Sequence, residues 1–290
     1  MRKQFVKTVE KLMEQDPSIV TLLGDIGIYG FREVFKKHPD RIYNIGILEQ
    51  STISMMSGLS MVGFIPIFHT IAPFMVERAL EQIKLDIIYQ DVIAQFVSVG
   101  GSDDYPALGY SHQSPGDIQC LLSIPNFHIR VPGSPKEFDE MFSKYYNKHS
   151  CYYRLSEEGH GFDLDTSTNL IRKTITKTVI LVVGPLLKNV MEATSDFSNV
   201  DVIYCNTIRP FSSLNTEKCY DNIIVVSPFY QGTMAGLITE KLEGKKYRLY
   251  DLSIPQPMGQ YEEQYGTKDQ HMKYNKLDVK SLHDEIQYLI

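Results

Sequence analysis

With 290 residues, 43% of them hydrophobic and 22% charged, the chain has the make-up of a soluble globular protein long enough for two cores. A net charge of −6 argues against nucleic acid or an anionic membrane as its main partner, because both attract basic patches. There is no apolar run of the ~18–20 residues a membrane span needs, Met1-Arg-Lys-Gln opens a polar amphipathic helix rather than a secretory segment, and four scattered cysteines (Cys120, Cys151, Cys205, Cys219) suit reduced thiols in the cytoplasm.

Residues 5–13 carry helical periodicity, 19–23 read as a strand and 31–37 as a second helix. Residues 42–47 are apolar and β-branched with Gly46 near the end, which predicts a short buried strand. From Leu48 the pattern turns helical over 49–61, with Ile53, Met56, Leu59 and Ser60 at three-to-four spacing. Glu49 thus falls where a strand meets a helix start. Ligands bind at that edge of an open α/β sheet, so Glu49 is expected to face a crevice and to donate or share a proton. The plain alternative is a helix-N-terminal glutamate stabilised by the helix dipole.

A strand over 65–69 and a helix over 74–89 put Phe74 and Arg78 four residues apart on one face. The ring suits stacking on a flat heterocycle, and the arginine an anion or a neighbouring carboxylate; core packing and a surface pair are the alternatives. After a strand over 93–99, the polar loop 100–106 leads to Gly109-Tyr-Ser-His112-Gln113. A loop histidine is suited to proton transfer or to orienting a substrate oxygen. Asp103 and Asp104 in that loop read either as a hydroxyl-reading pair or as an exposed acidic turn. Helices over 118–122 and 135–147 alternate with strands over 128–131 and 151–155; His128 is expected to be a packed core residue. Arg154, in strand context, must find an anion: a ligand phosphate or carboxylate, or equally an internal salt bridge.

The polar stretch 156–168 interrupts this rhythm, and then strands over 178–183, 202–205, 223–226 and 248–252 alternate with helices near 187–195 and 233–242. A closing helix over 278–290 is apolar at Val279, Leu282, Ile286 and Leu289. The succession predicts an α/β protein of two domains, 1–158 and 173–290, each a mainly parallel sheet flanked by helices, with 159–172 as linker. The chain has no G-x-G-x-x-G after a strand, G-x-x-x-x-G-K-[ST], G-x-S-x-G or H-E-x-x-H, so Rossmann, P-loop and common hydrolase chemistry lose weight. Eight histidines without an H-x-x-x-H pair make a protein-built metal site unexpected.

Taken in order, Gly30-Phe-Arg-Glu-Val-Phe35, His38-Pro-Asp-Arg41, Gly46-Ile-Leu-Glu-Gln50, Phe74 with Arg78-Ala and Glu81-Gln-Ile83, Ser111-His-Gln113 and Ile124-Pro-Asn126 resemble the C-terminal half of the transketolase family of thiamine diphosphate enzymes, which includes deoxyxylulose-phosphate synthases. The likeness is firm to about residue 155, and residues 178–184 and Thr207-Ile-Arg-Pro-Phe211 resemble that family's small C-terminal domain. The resemblance implies that Glu49 bonds N1′ of the cofactor's aminopyrimidine, Phe74 stacks on that ring and Arg78 supports the pocket. It also implies that His112 lies near the reacting carbonyl oxygen and that Arg154 holds a substrate's distal phosphate. The activity implied is transfer of a two-carbon ketol unit between sugar substrates, phosphorylated ones foremost. A β subunit of a 2-oxoacid dehydrogenase-like or decarboxylating enzyme is the alternative, and a non-catalytic partner a further one.

Three departures accompany the resemblance. The family's diphosphate-binding domain carries a G-D-G…N signature that holds the diphosphate through Mg²⁺ (or Ca²⁺), whereas this chain has Gly24-Asp25-Ile26. A split enzyme is therefore implied, in which a separate N-terminal-half subunit holds most of the metal site and this chain forms a homodimer within an α2β2 assembly. Relatives carry an acidic pair and a Gly close before the histidine; here Ala107-Leu108-Gly109-Tyr110 stand there, and Asp103 becomes the displaced candidate for reading a substrate hydroxyl. Ser227-Pro-Phe-Tyr-Gln-Gly232 replaces an acidic and histidine run, with consequences expected only at interfaces.

Overall fold

The computed structural model describes residues 1–167, 169–214, 218–256 and 265–290. In chain order the first elements are α1 (Arg2–Gln15), β1 (Ile19–Leu23), α2 (Arg32–Lys37), β2 (Ile42–Asn44), α3 (Glu49–Met61), β3 (Ile65–Ile71), α4 (Ala72–Met75) and α5 (Leu80–Gln82). There follow β4 (Gln95–Val99), α6 (Asp117–Leu122), β5 (His128–Arg130), α7 (Pro135–Tyr145) and β6 (Cys151–Arg154). The second half contributes β7 (Leu170–Arg172), β8 (Thr178–Val183), α8 (Leu187–Ala193), β9 (Asp201–Cys205), β10 (Thr207–Arg209), β11 (Asn222–Val226), α9 (Ala235–Lys241), β12 (Arg248–Asp251), α10 (Lys268–Tyr274) and α11 (Val279–Leu289).

Two mainly parallel sheets result. The first runs β10-β5-β6-β4-β3-β1-β2 and the second β12-β11-β8-β9-β7, with β10 and β7 the antiparallel edge strands. The inner strands β1, β4 and β6 of the first sheet are buried along their whole length, so side chains alternating along them pack on both faces. Val20 and Leu22 pack with Ile53 and Met56 of α3, while Ile19 and Leu23 pack on the other face with Phe5, Val9, Leu12 and Met13 of α1. That spacing in α1 is one apolar stripe of an amphipathic helix. The start of α7 is fixed by Ser134, whose side chain accepts from the Glu137 N–H, and by Pro135 in the first turn.

Two differences from the sequence reading bear on the site. The helix expected over 74–89 is broken into α4, α5 and a π-helical segment, Ile83–Ile88. The break falls where the Arg78 N–H reaches back five residues to Pro73 O, a widened turn of the kind frequent at functional sites. The expected division between domains also fails to partition the sheets. β10, well past residue 173, crosses back to pair with β5, and β7 lies inside the expected linker. Both strands have three residues, too few for period-two alternation to register.

The crossing is secured by polar contacts. Arg209 donates to the carbonyls of Leu121, Leu122 and Ile124, closing the C-terminal end of α6. Glu137 of α7 accepts from His160 Nε2 at 2.7 Å and from the Tyr204 hydroxyl at 2.7 Å, all three side chains being buried. Because Phe162 N donates to His160 Nδ1, the ring proton lies on Nε2, where Glu137 receives it. Apolar packing is continuous across the junction too: Phe229, Met234 and Val225 of the second half share a core with Ile118, Leu121 and Phe127 of the first.

Candidate active site

The β2–α3 connection turns at Gly46, whose φ of +81° suits a residue without Cβ, and Glu49 opens α3. Its side chain is 1% exposed, and Oε2 accepts from Arg78 Nη1 at 2.6 Å. Oε1 is buried and has no hydrogen-bond partner in the described structure. The Arg78 guanidinium lies 4.3 Å from the Phe74 ring centroid, and the Phe74 and His112 rings meet edge to face at 5.2 Å. Glu49, Phe74, Arg78 and His112, drawn from three separate segments, therefore form one cluster.

Buried carboxylate oxygens are nearly always paired, so an unpartnered one marks a position where something else completes the bond. One Glu49 oxygen is clamped by Arg78, and the other is available to a ligand N–H. His112 Nδ1 is engaged by the Ser111 hydroxyl at 2.9 Å.

The loop carrying His112 is pinned at its base by the reciprocal Ser102–Ser114 backbone pair, at 3.2 and 2.9 Å. The Ser114 hydroxyl donates to Glu77 Oε1 at 2.7 Å, joining the loop to the turn between Phe74 and Arg78. Burial pushes the Glu77 carboxyl above its ordinary value, against the Ser114 bond and with the help of Asp117. Later residues brace the loop as well: Gly266 N donates to Pro106 O at 3.2 Å, and Tyr265 packs on Gly109 so closely that a Cβ there would lie 2.6 Å from its ring. Only a glycine fits that position, where φ is also +73°.

Two expected ligand-binding residues are placed otherwise. Arg154 is fully buried; Nε donates to Asp117 Oδ2 at 2.7 Å and Nη2 to Ser102 Oγ at 2.7 Å and Ser114 O at 3.2 Å. Burial, the largest single influence, would lower its pKa, but Asp117 together with Tyr152 and Asp104 more than offsets this and raises it. The Tyr152 hydroxyl donates to the same Asp117 oxygen at 2.8 Å. The internal salt bridge is thus the reading that fits Arg154, and its charge is already matched by Asp117 rather than offered to a substrate phosphate. Asp103 accepts from Asn275 Nδ2 at 3.2 Å and lies 3.9 Å from His271 Nδ1, both on or just after α10. Its carboxylate is thus engaged at that junction. Asp104 is buried beside it, and burial raises its pKa to about 6 against the pull of Lys268 and Arg154. Both aspartates and Arg154 line a cavity of about 510 Å³ between the two halves, closed by Leu186, Ile254 and Met272 among others.

Asp117, Ser102, Ser114 and Glu77 escape the sequence reading. Asp117 opens a short helix and gives no local sign that Arg154, far along the chain, is its partner. Among the described residues no group of three His, Cys, Asp or Glu side chains is placed to hold a metal ion, and no helix is long and apolar enough to cross a membrane.

Residues 1–159 match the transketolase pyrimidine-binding domain. A protein of Rhodococcoides fascians described as an uncharacterized 33.6 kDa protein in the fasciation locus is 37% identical over 291 residues, covering 97% of this chain and 92% of that protein. An apulose-4-phosphate transketolase subunit of Actinobacillus succinogenes is 30% identical over 47% of this chain and 43% of its own length. The 1-deoxy-D-xylulose-5-phosphate synthase of Fusobacterium nucleatum is 26% identical over 99% of this chain, which spans 50% of that enzyme. In fold, the chain superposes on a split-gene transketolase solved as an inactive β4 tetramer, with a TM-score of 0.82 at 19% identity, covering 99% of this chain and 96% of that one. With more than half of its length matched by the family's defining domain, this chain belongs to the transketolase pyrimidine-binding-domain family.

Proposed function

We propose that this chain is the C-terminal-half subunit of a split, thiamine diphosphate-dependent transketolase that moves a two-carbon ketol unit between sugar substrates. The observation that carries the reading is the unpartnered, buried Oε1 of Glu49 beside the Phe74 ring. The residues present fit an aminopyrimidine: Glu49 for a ring nitrogen, Phe74 for its flat face, and Arg78 to hold Glu49 in place. When bound, thiamine diphosphate supplies a carbanion equivalent and an electron sink for C–C cleavage.

The chain's own residues control proton position and orientation. Glu49 Oε1 holds or takes a proton at the heterocycle, while Arg78 fixes the other oxygen so that the carboxyl cannot rotate away. His112, edge-on to Phe74, is placed to donate to or accept from a substrate oxygen. Arg78 and Phe74 act by position, without changing protonation.

An exposed apolar surface supports the same reading. Ile47, Leu48, Met55, Met61, Val62, Phe64, Leu85 and Tyr89 are all exposed around α3 and the π-helical segment, between 38% and 80%. So many large apolar side chains around a candidate site mark an interface. We assign this surface to a second copy of the chain and to an N-terminal-half subunit that carries Mg²⁺ and the diphosphate, giving an α2β2 assembly. The apulose-4-phosphate transketolase relatives are themselves named as subunits, which accords with that. The four cysteines are free thiols, which supports a cytoplasmic setting.

Calorimetry of thiamine diphosphate with Mg²⁺, for this chain alone and mixed with a candidate N-terminal-half subunit, tests the proposal. Binding only in the mixture, followed by ketose–aldose turnover, is expected. Tight binding by the chain alone would remove the need for a partner, and the absence of binding across several partners would remove the cofactor.

A further inference from the structure

Four cations and two imidazoles gather at the edge of the first sheet opposite Glu49, around the N-terminal ends of β5 and β6. Arg130 of β5 is 6% exposed, yet it makes no ion pair in the described structure, and its Nε has no hydrogen-bond partner. The groups in direct contact with its guanidinium are neutral. The guanidinium lies 3.9 Å from the Tyr145 ring centroid, and Nη2 donates to His149 Nε2 at 3.4 Å, a bond that requires the uncharged imidazole. Cys151 also faces it, but burial holds that thiol protonated, with a pKa pushed up to about 12. The Tyr153 hydroxyl beside it is raised well above its ordinary value, again chiefly by burial.

His149 stacks on His128 with ring centroids 3.5 Å apart and planes 18° from parallel. His128 Nδ1 is buried and unpartnered. Burial, the other imidazole, Arg130 and Lys148 together depress His149 to about 4, and burial with Arg130 and Arg209 lowers His128. Lys144 and Lys148 reach the same Tyr145 ring at 5.1 and 5.6 Å. Neither lysine nor Arg209 makes a salt bridge in the described structure; Glu240 of α9 acts on Arg209 from a distance. In a chain of net charge −6 such a concentration of unmatched positive charge is conspicuous.

A buried guanidinium without an anion is costly, and two stacked imidazoles cannot both be charged while nothing negative lies between or beside them. One ligand resolves every irregularity at once. We propose that Arg130, His149 and His128, ringed by Lys144 and Lys148, bind a phosphate-type oxyanion, free or as the terminal group of a small phosphate ester. The anion pairs with the guanidinium in its fork geometry and accepts from the imidazoles, which become charged as it arrives. Binding therefore takes up protons between about pH 4, where His149 titrates without ligand, and its higher value with ligand.

The test is calorimetry of the full chain at constant ionic strength, with separate arms for inorganic phosphate, glycerol 3-phosphate and sulfate. Sulfate, which does not titrate in this range, is repeated at pH 6 in two buffers of different ionisation enthalpy to count protons. Saturable binding with net proton uptake is expected, at least tenfold weaker at pH 8 than at pH 6 and at least tenfold weaker in the partly exposed His149→Gln variant. Tighter binding of the ester than of phosphate would identify an esterified ligand, and the reverse a free one. Heats no larger than those of sodium chloride, or binding without proton uptake that persists undiminished in His149→Gln, would overturn the site. No arm uses cofactor or turnover, so its outcome is independent of the proposed enzymatic role.

Discussion

Replacing Glu49 by glutamine separates a residue kept for chemistry from one kept for stability. The carboxylate–guanidinium bond to Arg78 would ordinarily contribute ~1.5–3 kcal/mol as a charged hydrogen bond. The Arg78 side chain is 41% exposed, however, so solvent screening reduces that to about 1 kcal/mol. Against it stands the unpartnered Oε1, whose burial costs ~1–3 kcal/mol. Glutamine retains an oxygen for Arg78 and removes the buried charge, so the two effects offset. Unfolding in urea should give a free energy within about 1 kcal/mol of the parent, a midpoint shift of under ~0.5 M for a chain of this size. Turnover in the reconstituted enzyme should fall by about 10²–10⁴, the usual contribution of a positioned acid or base. A stability loss above ~3 kcal/mol with cofactor affinity intact would show Glu49 to be a structural ion-pair member. Near-normal turnover would end the proton-transfer assignment.

Asp117→Asn leaves the enclosed Arg154 without its counter-charge and should cost ~3–5 kcal/mol, read from chemical denaturation; a loss below ~1 kcal/mol would contradict the closed-pair description. For the same reason Arg154→Met, measured at a temperature where the variant is folded, should change KM equally for phosphorylated and unphosphorylated substrates, and a selective rise for the phosphorylated one would restore a phosphate-binding role. Asp104 has a folded pKa of about 6 against an ordinary 3.8, so its contribution to stability is fully present below about pH 4 and is lost as pH rises toward 6. Asp104→Asn should accordingly stabilise the chain about 1–3 kcal/mol more at pH 7.5 than at pH 4.5, and an equal or opposite difference in urea unfolding would refute the burial argument. Arg78→Ala should weaken thiamine diphosphate binding at least tenfold in the reconstituted enzyme through loss of carboxylate placement, and unchanged affinity would remove Arg78 from the site.

The cluster around Glu49 is legible in the sequence because each member stands at a local transition. A β-branched run ends at Gly46 before helical periodicity begins, and Phe74 and Arg78 keep helical spacing even though their helix breaks. His112 is legible only as a loop histidine; that its ring meets Phe74 depends on Ser114 reaching Glu77, which no local pattern announces. The surroundings of the acidic pair are hidden for a similar reason. Asp103 and Asp104 read as an exposed turn or a sugar-binding pair until α10, more than 160 residues later, covers them. Arg154 carries both meanings in its sequence context, and the choice between them lies in Asp117. Period and spacing report which face of an element is apolar; they say nothing of which distant side chain will neutralise a buried charge.

The return of β10 to the first sheet has a bearing on how this polypeptide can be taken apart. A nick within the polar stretch 156–168 would yield an N-terminal fragment lacking its edge strand, with β5 exposed and the end of α6 deprived of Arg209. The C-terminal fragment would carry a dangling strand and one half of a shared apolar core. Neither piece would keep its own sheet and core intact, so the two sheets are expected to fold and unfold as one cooperative block.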